Sequence, residues 1–250
     1  MNQSSLPRIL LARVTSDREG VRFMSIVHPA AGLGAIFDWD GVIIDSHDQH
    51  EESWQMLFDE TGRTMPEGFF KETFGMRNQQ IIPAYFEDVD ESDTQKIADL
   101  GLRKEELYRE LIRREGIEPL EGVLPLLDSL KVAGIPCSVG SSTPRKNVDT
   151  IIEMIGLKNH FSAITTAEDV TRGKPEPDVF LKAAEKVERE PSKCVVFEDA
   201  HVGIKAGLAA GMKVIAVATT HPAKSLGDAH LVVERLTEIS VEKMTALVGP

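Results

Sequence analysis

Five short apolar runs recur along the chain: GAIFDWD (34–40), GIPCSVGSS (134–142), FSAITTAED (161–169), KCVVFED (193–199) and MKVIAVAT (212–219). Each is apolar at successive positions, so each suits a strand buried on both faces of a sheet. Helix-like segments separate them, among them LPLLDSLKVAG (124–134), NVDTIIEMIGL (147–157), PDVFLKAAEKV (177–187) and HVGIKAGLAAGM (201–212). Such alternation calls for parallel strands, because every return to the sheet needs a crossover helix. The pattern therefore predicts an α/β fold with a doubly wound parallel sheet.

Residues 48–118 break the pattern. Strand-like runs vanish, and DQHEESWQMLFDETG, NQQIIPAYF and DTQKIADLGLRKEELYRELIRREG read as amphipathic helices. A helical block lying between the first strand and the rest of a sheet is an insertion, not a tandem domain. The expected organisation is a core of 31–47 and 119–250, a helical cap of 48–118, and a loosely ordered extension over 1–30. Linkers near 46–49 and 116–121 would be the hinges.

Composition narrows the partners. The chain has 28 basic and 40 acidic residues, a net charge of −12, which disfavours nucleic acid but leaves room for one local phosphate site. No apolar stretch is long enough to span a bilayer. Cys137 and Cys194 each lie in an apolar run, as buried thiols in a reducing compartment do. The first 35 residues lack the apolar core of a secretory signal. Arg8, Arg13, Arg18 and Arg22 with several serines faintly resemble a transit peptide, but a loose extension, or a true start at Met24, is the reading adopted. A cytoplasmic location is expected, and the oligomeric state is not legible.

Ligands of open parallel sheets bind beyond the carboxyl ends of the strands. There the chain carries Asp38 and Asp40, then Ser141, Ser142 and Thr143, then Lys174, then Glu198 and Asp199. Carboxylates, hydroxyls and an ammonium at one edge suit a hard divalent cation and a phosphoryl group. Competing readings fail on spacing. An EF-hand loop with Asp38 and Asp40 at positions 3 and 5 would put Ile36 and His47 at positions 1 and 12, neither a suitable ligand. Gly32 and Gly34 precede the first strand, where a dinucleotide fingerprint needs glycines after it. A lone DxDG is often only a turn, but that leaves the later strand ends unexplained.

The series DWDGVIIDS, VGSST, GKPEPD and FEDAHVGIKAG resembles the four motifs of the haloacid dehalogenase-like superfamily, over roughly residues 35–220. It looks most like the β-phosphoglucomutase-like phosphatases with a helical cap. The resemblance implies a Rossmann-like core and a Mg²⁺-dependent phosphatase acting on a small phosphorylated metabolite, a sugar phosphate, with a β-phosphoglucomutase-type mutase as the alternative. It implies that Asp38 is the nucleophile and Asp40 the acid and base. Ser141, Ser142 and Lys174 would bind the phosphoryl oxygens. Mg²⁺ would be held by Asp38, the Asp40 backbone carbonyl, Asp199 and, as a further ligand, Glu198. A bland alternative for Lys174 is an exposed pair with Glu176, and Gly41 reads as a turn residue.

In the cap, His50, Arg77 and Lys104 resemble positions that contact substrate or couple closure to catalysis. His50 could equally be a surface histidine, and Lys104, flanked by Glu105 and Glu106, could lie on a solvated helix face. Arg77, in FGMRN, could hold a second phosphate or a sugar oxygen; the interval from Gly75 to Arg77 is shorter than in β-phosphoglucomutase. Arg145 could support a phosphate or cap a helix. Asp40 and the acidic pair set the chain apart from dehalogenases, which lack both. A phosphonate hydrolase would need a cap lysine forming an imine, for which Lys71 and Lys104 are present.

Overall fold

A computed structural model describes residues 32–73 and 76–249. The expected extension over 1–30, Met24 and Gly75 lie outside the described residues. The element order is β1 (Gly34–Phe37), α1 (His47–Glu60), α2 (Phe69–Thr73), α3 (Asn78–Tyr85), α4 (Thr94–Glu115), α5 (Val123–Val132), β2 (Cys137–Gly140), α6 (Arg145–Met154), β3 (Ala163–Thr165), α7 (Asp178–Lys186), β4 (Cys194–Glu198), α8 (His201–Ala209), β5 (Lys213–Val217), β6 (Leu231–Val233) and α9 (Val241–Val248).

Among the described residues the six strands form one sheet in the order β3-β2-β1-β4-β5-β6, with every pairing parallel. The chain crosses from one half of the sheet to the other between β3 and β4, so the switch point lies between β1 and β4. That is where an open α/β sheet binds its ligand.

Side chains alternate across the sheet with period two. Ala35, Phe37 and Trp39 join Val195, Phe197, Ile215 and Val217 in one apolar layer, with Leu126, Leu127 and Leu130 of α5, Val148 and Ile151 of α6 and Met244 of α9. Ile36, Val196, Val214 and Ala216 point the other way, onto Val179, Phe180 and Ala183 of α7 and Ile204 and Ala206 of α8. Two-sided burial explains why the strands read as near-continuous apolar runs. Phe37 and Phe197, register partners on β1 and β4, stack at 4.5 Å and pin the two strands that carry the site.

The helical block from α1 to α4 has its own core of Trp54, Leu57, Phe58, Phe69, Phe70, Ile81, Ile82, Ile97 and Leu107. The last turns of α4 belong elsewhere: Tyr108 and Ile112 pack in the layer beneath β1. The α4 helix thus spans both bodies, and it ends at Gly116, whose φ of +77° only glycine adopts freely.

Several elements differ from expectation. Residues 47–49, read as part of a linker, form the first turn of α1. The α6 helix starts at Arg145, two residues before the expected Asn147. In 161–169 only three residues are strand, and α2 and β6 went unread because elements of five and three residues are too short to show a period.

Candidate active site

Asp38 follows the last residue of β1, and its backbone N–H donates to the Phe197 carbonyl of β4 at 2.9 Å. Its side chain thereby enters the switch point, where Lys174, Glu198 and Asp199 converge on it. The Lys174 Nζ lies 2.8 Å from Asp38 Oδ1 and 2.6 Å from Glu198 Oε1. The first is an ion pair without hydrogen-bond alignment, so Asp38 Oδ1 is buried with no hydrogen bond. Glu176 pairs with Arg172 instead, which removes the bland reading of Lys174.

Glu198 is fully buried, with both oxygens engaged. Oε1 accepts from Lys174 at 2.6 Å, and Oε2 accepts the backbone N–H groups of Asp199 and Ala200, both at 2.9 Å. It lies against α8 so closely that a Cβ on Gly203 would stand 1.7 Å from Oε1. Glu198 thus aims the ammonium of Lys174. Asp199 accepts from the Thr220 hydroxyl beyond β5, and a Cβ on Gly41 would stand 2.0 Å from its Oδ2. Gly41 is therefore more than a turn residue: besides its φ of +77°, its bare Cα leaves the space that this carboxylate fills.

Three carboxylates share one ammonium in a buried setting. Burial, opposed by Lys174 and reinforced by Glu198 and Asp40, pushes the Asp38 carboxyl up to about 7. Burial, with Glu198 and Asp38 beside it, drives Asp199 well above the usual carboxylate range. Burial opposes the charge on Lys174, but Asp38 and Glu198 outweigh it and raise its pKa. One oxygen from each of Asp38, Glu198 and Asp199 lies within 4.8 Å of the others. An all-oxygen donor set of three carboxylates around one ammonium, with Asp38 Oδ1 accepting no hydrogen bond, fits a hard divalent cation such as Mg²⁺.

Asp40 faces a different group. Its two oxygens accept from the Ser46 and Thr143 hydroxyls, and His50 Nε2 stands 3.6 Å from Oδ1. Burial pushes its carboxyl upward, but His50 and the two hydroxyls win and hold it down at about 2. Thr143 is thus engaged with Asp40, whereas Ser141 stays at the sheet edge: it is buried, and its Oγ accepts the Thr143 N–H at 3.0 Å. Ser142 is half-buried in the same turn.

Lys104 is buried, not solvated. Its Nζ is 2.8 Å from His50 Nδ1 and 3.3 Å from Glu105 Oε1. An ammonium only donates, so His50 Nδ1 accepts and Nε2 carries the proton toward Asp40. Tyr108 stacks on the imidazole at 4.1 Å and 12°. His50 is accordingly a half-buried histidine joining the cap to the loop that follows β1.

Arg77 precedes α3 and lies over Gly173, where a Cβ would come within 2.8 Å of its Nε. Its Nη1 donates to the Thr171 carbonyl at 3.4 Å, while Nε and Nη2 are buried without partners. Two adjacent unpaired donors beside the Lys174 loop offer a bidentate anion seat. Arg145 is exposed and pairs with Asp149 at 2.8 Å, and Lys71 is exposed on α2; neither meets the cluster.

Residues 35–217 match the family model described as haloacid dehalogenase-like hydrolase. The chain belongs to that family. Among its relatives, the chloroplastic 5-amino-6-(5-phospho-D-ribitylamino)uracil phosphatase of Arabidopsis thaliana is 36% identical over 84% of this chain. The chain spans only 56% of that longer protein. Hexitol phosphatase A of Escherichia coli is 34% identical, over 84% of this chain and 94% of its own. A β-phosphoglucomutase structure from Clostridium difficile superposes with a TM-score of 0.74 at 25% identity, covering 86% of this chain and 96% of that one. In this haloacid dehalogenase-like chain, no helix among the described residues is long and apolar enough to cross a membrane.

Ser46, Thr220, Glu105, Tyr108 and Asn147 are the site residues that sequence reasoning missed, and Thr143 was placed with the two serines and not with Asp40. Ser46, in the DWDGVIIDS motif, and Thr143, beside two serines, had a local signal; the other four act across sequence distances that no motif spans.

Proposed function

We propose that the protein is a Mg²⁺-dependent phosphomonoesterase that cleaves a phosphorylated sugar or sugar alcohol through a phosphoryl group carried on Asp38. The observation that supports it is the convergence of Asp38, Lys174, Glu198 and Asp199 at the switch point, where three carboxylates crowd around the ammonium of Lys174. Phosphatase relatives named for hexitol and phosphoribityl compounds support the polyol character of the substrate.

Asp38, Asp199 and the Asp40 backbone carbonyl would hold the metal, while Glu198 completes the acidic wall and aims Lys174. Bound there, the cation cancels the repulsion between an anionic nucleophile and a phosphate dianion. The Asp38 oxygen forms a bond to phosphorus as the ester P–O bond breaks, and a proton from Asp40 goes to the leaving oxygen. Water then attacks phosphorus, Asp40 takes its proton, and the P–O bond to Asp38 breaks. Lys174 and the hydroxyls of Ser141 and Ser142 neutralise and orient the phosphoryl oxygens. With its pKa held at about 2, Asp40 is set for the base half of this cycle. The acid half requires that its contacts with His50, Ser46 and Thr143 change when the leaving oxygen arrives.

A second reading, a β-phosphoglucomutase-type phosphohexomutase, is favoured by Arg77, whose two unpaired donors could seat the second phosphate of a bisphosphate. Phosphate release from a panel of sugar and sugar-alcohol phosphates tests the first reading. Asp38→Asn should lower turnover by at least ~10⁴-fold, and chelation of Mg²⁺ should abolish it; full activity in Asp38→Asn would defeat the proposal. Conversion of β-glucose 1-phosphate to glucose 6-phosphate without net phosphate loss, given a bisphosphate primer, would favour the mutase.

A further inference from the structure

The cap and the core meet through a second buried polar cluster. Asn147 sits in the first turn of α6, directly after the Ser141–Thr143 turn, and is fully buried. Its Nδ2 donates to Glu105 Oε2 at 2.5 Å, and its Oδ1 accepts from Arg109 Nη1 at 2.5 Å. Glu105 and Arg109 stand four residues apart on α4, hence on one face of the cap helix. One amide of the core therefore reads an acceptor and a donor of the cap at once.

Glu105 extends the connection. Its Oε1 accepts from Asn78, the first residue of α3 and the neighbour of Arg77, at 2.8 Å, and from Lys104 at 3.3 Å. Lys104 continues to His50, and His50 to Asp40. A single carboxylate thus ties the Arg77 loop, the Lys104–His50 pair and the helix that follows the phosphate-binding turn. Separating the bodies would break both Asn147 contacts, and sliding α4 by one residue would present neither Glu105 nor Arg109.

We propose that Asn147, with Glu105 and Arg109, is the clasp that holds the cap shut in register on the core, and that Asn147 is a positioning residue for the Lys104–His50–Asp40 line. The consequence for catalysis rests on the phosphatase reading above; the clasp itself does not. Asn147→Asp places a carboxylate against Glu105 and should force the bodies apart. The double variant Glu105→Gln with Asn147→Asp exchanges donor and acceptor, leaves Arg109 facing a carboxylate, and should reclose them.

The test is a distance measurement between spin labels on the ligand-free protein, at Leu102→Cys on α4 and Val132→Cys at the end of α5. Both positions are exposed, whereas the native Cys137 and Cys194 are buried. Wild type should give one narrow distance, Asn147→Asp a broad distribution shifted to longer distances, and the exchanged pair a narrow one again. With the best substrate of the panel, Asn147→Asp should lose ~10²-fold in kcat/KM, as displacement of positioning groups does, and the exchange should restore most of it. Should Asn147→Asp not fold, Asn147→Ala, which removes both contacts without adding charge, carries the same test. An unchanged distance distribution in the folded single variant, or an exchanged pair as broad as the single variant, would overturn the clasp. A wild type with a narrow distance and no turnover on any phosphate ester would overturn the phosphatase reading alone.

Discussion

Two buried polar clusters, one at the sheet edge and one between the cap and the core, are built on opposite principles. At the sheet edge, Asp38, Glu198 and Asp199 surround the ammonium of Lys174, one carboxylate oxygen is left without a hydrogen bond, and two of the acids are pushed up by burial and by the acids beside them. On the cap side, Glu105 accepts from Asn78, Lys104 and Asn147, and Arg109 donates to Asn147. Burial opposes the charge of Glu105 too, yet Lys104, His50 and its amide partners bring its pKa down. A satisfied network costs little to keep closed, whereas an unsatisfied one is stable only with a ligand that supplies what is missing. On the proposed reading, a cation and a phosphoryl group supply what the first cluster lacks, while the second is structural.

Substitutions that alter one cluster break or sharpen this contrast. Lys174→Met should do most damage, since it leaves Glu198 fully buried with no counter-charge; a loss of about 3–5 kcal/mol is expected in urea unfolding of the metal-free protein. Mg²⁺ should recover part of that loss if the acidic wall binds it. Gly203→Ala comes next. Its Cβ would overlap Glu198 Oε1, so Glu198 must move and release Lys174, at roughly 1–3 kcal/mol of overpacking strain, read as a lower melting temperature. Arg77→Ala should raise KM roughly 10- to 100-fold for substrates with a second anionic group, the size of a lost charged hydrogen bond. Phosphate esters with a neutral distal end should change little, and comparing the two classes measures what the unpaired donors of Arg77 seat.

The smallest effect concerns pH. A proton and a metal compete for the same Asp38 oxygen, and this carboxyl keeps its proton up to about 7. Mg²⁺ affinity should therefore fall as pH drops through neutrality, by about tenfold per pH unit for one proton released on binding. Calorimetric titration in buffers of different ionisation enthalpy counts that proton; a pH-independent affinity would show that Asp38 is already ionised or does not ligate.

The sheet-edge cluster was legible because it obeys a local rule. Each of its members follows an apolar run or lies in the loop after one, and a parallel sheet delivers such positions to one edge, so Asp38, Lys174, Glu198 and Asp199 could be grouped from the sequence. The cap cluster obeys no such rule. Lys104 beside Glu105 and Glu106 could equally read as a solvated helix face, and it is the packing of α4 on α1, where its Nζ meets His50 and the Trp54 ring, that buries it. Glu198 illustrates the limit within a motif: its presence was readable, but the orientation of its two oxygens depends on two backbone N–H groups, Lys174 and the bare Cα of Gly203. Thr143 was grouped with the serines expected to bind phosphate and instead engages Asp40.

By itself the amino-acid order determined the parallel α/β core, the inserted helical block and the set of acids, hydroxyls and lysine at one edge, because hydrophobic periodicity and strand polarity are properties of short stretches. Which strand neighbours which, which partner each carboxylate meets, and which charges the cap brings inside were decided only in three dimensions. Those depend on contacts between residues dozens of positions apart, where burial and electrostatics act through space and not along the chain.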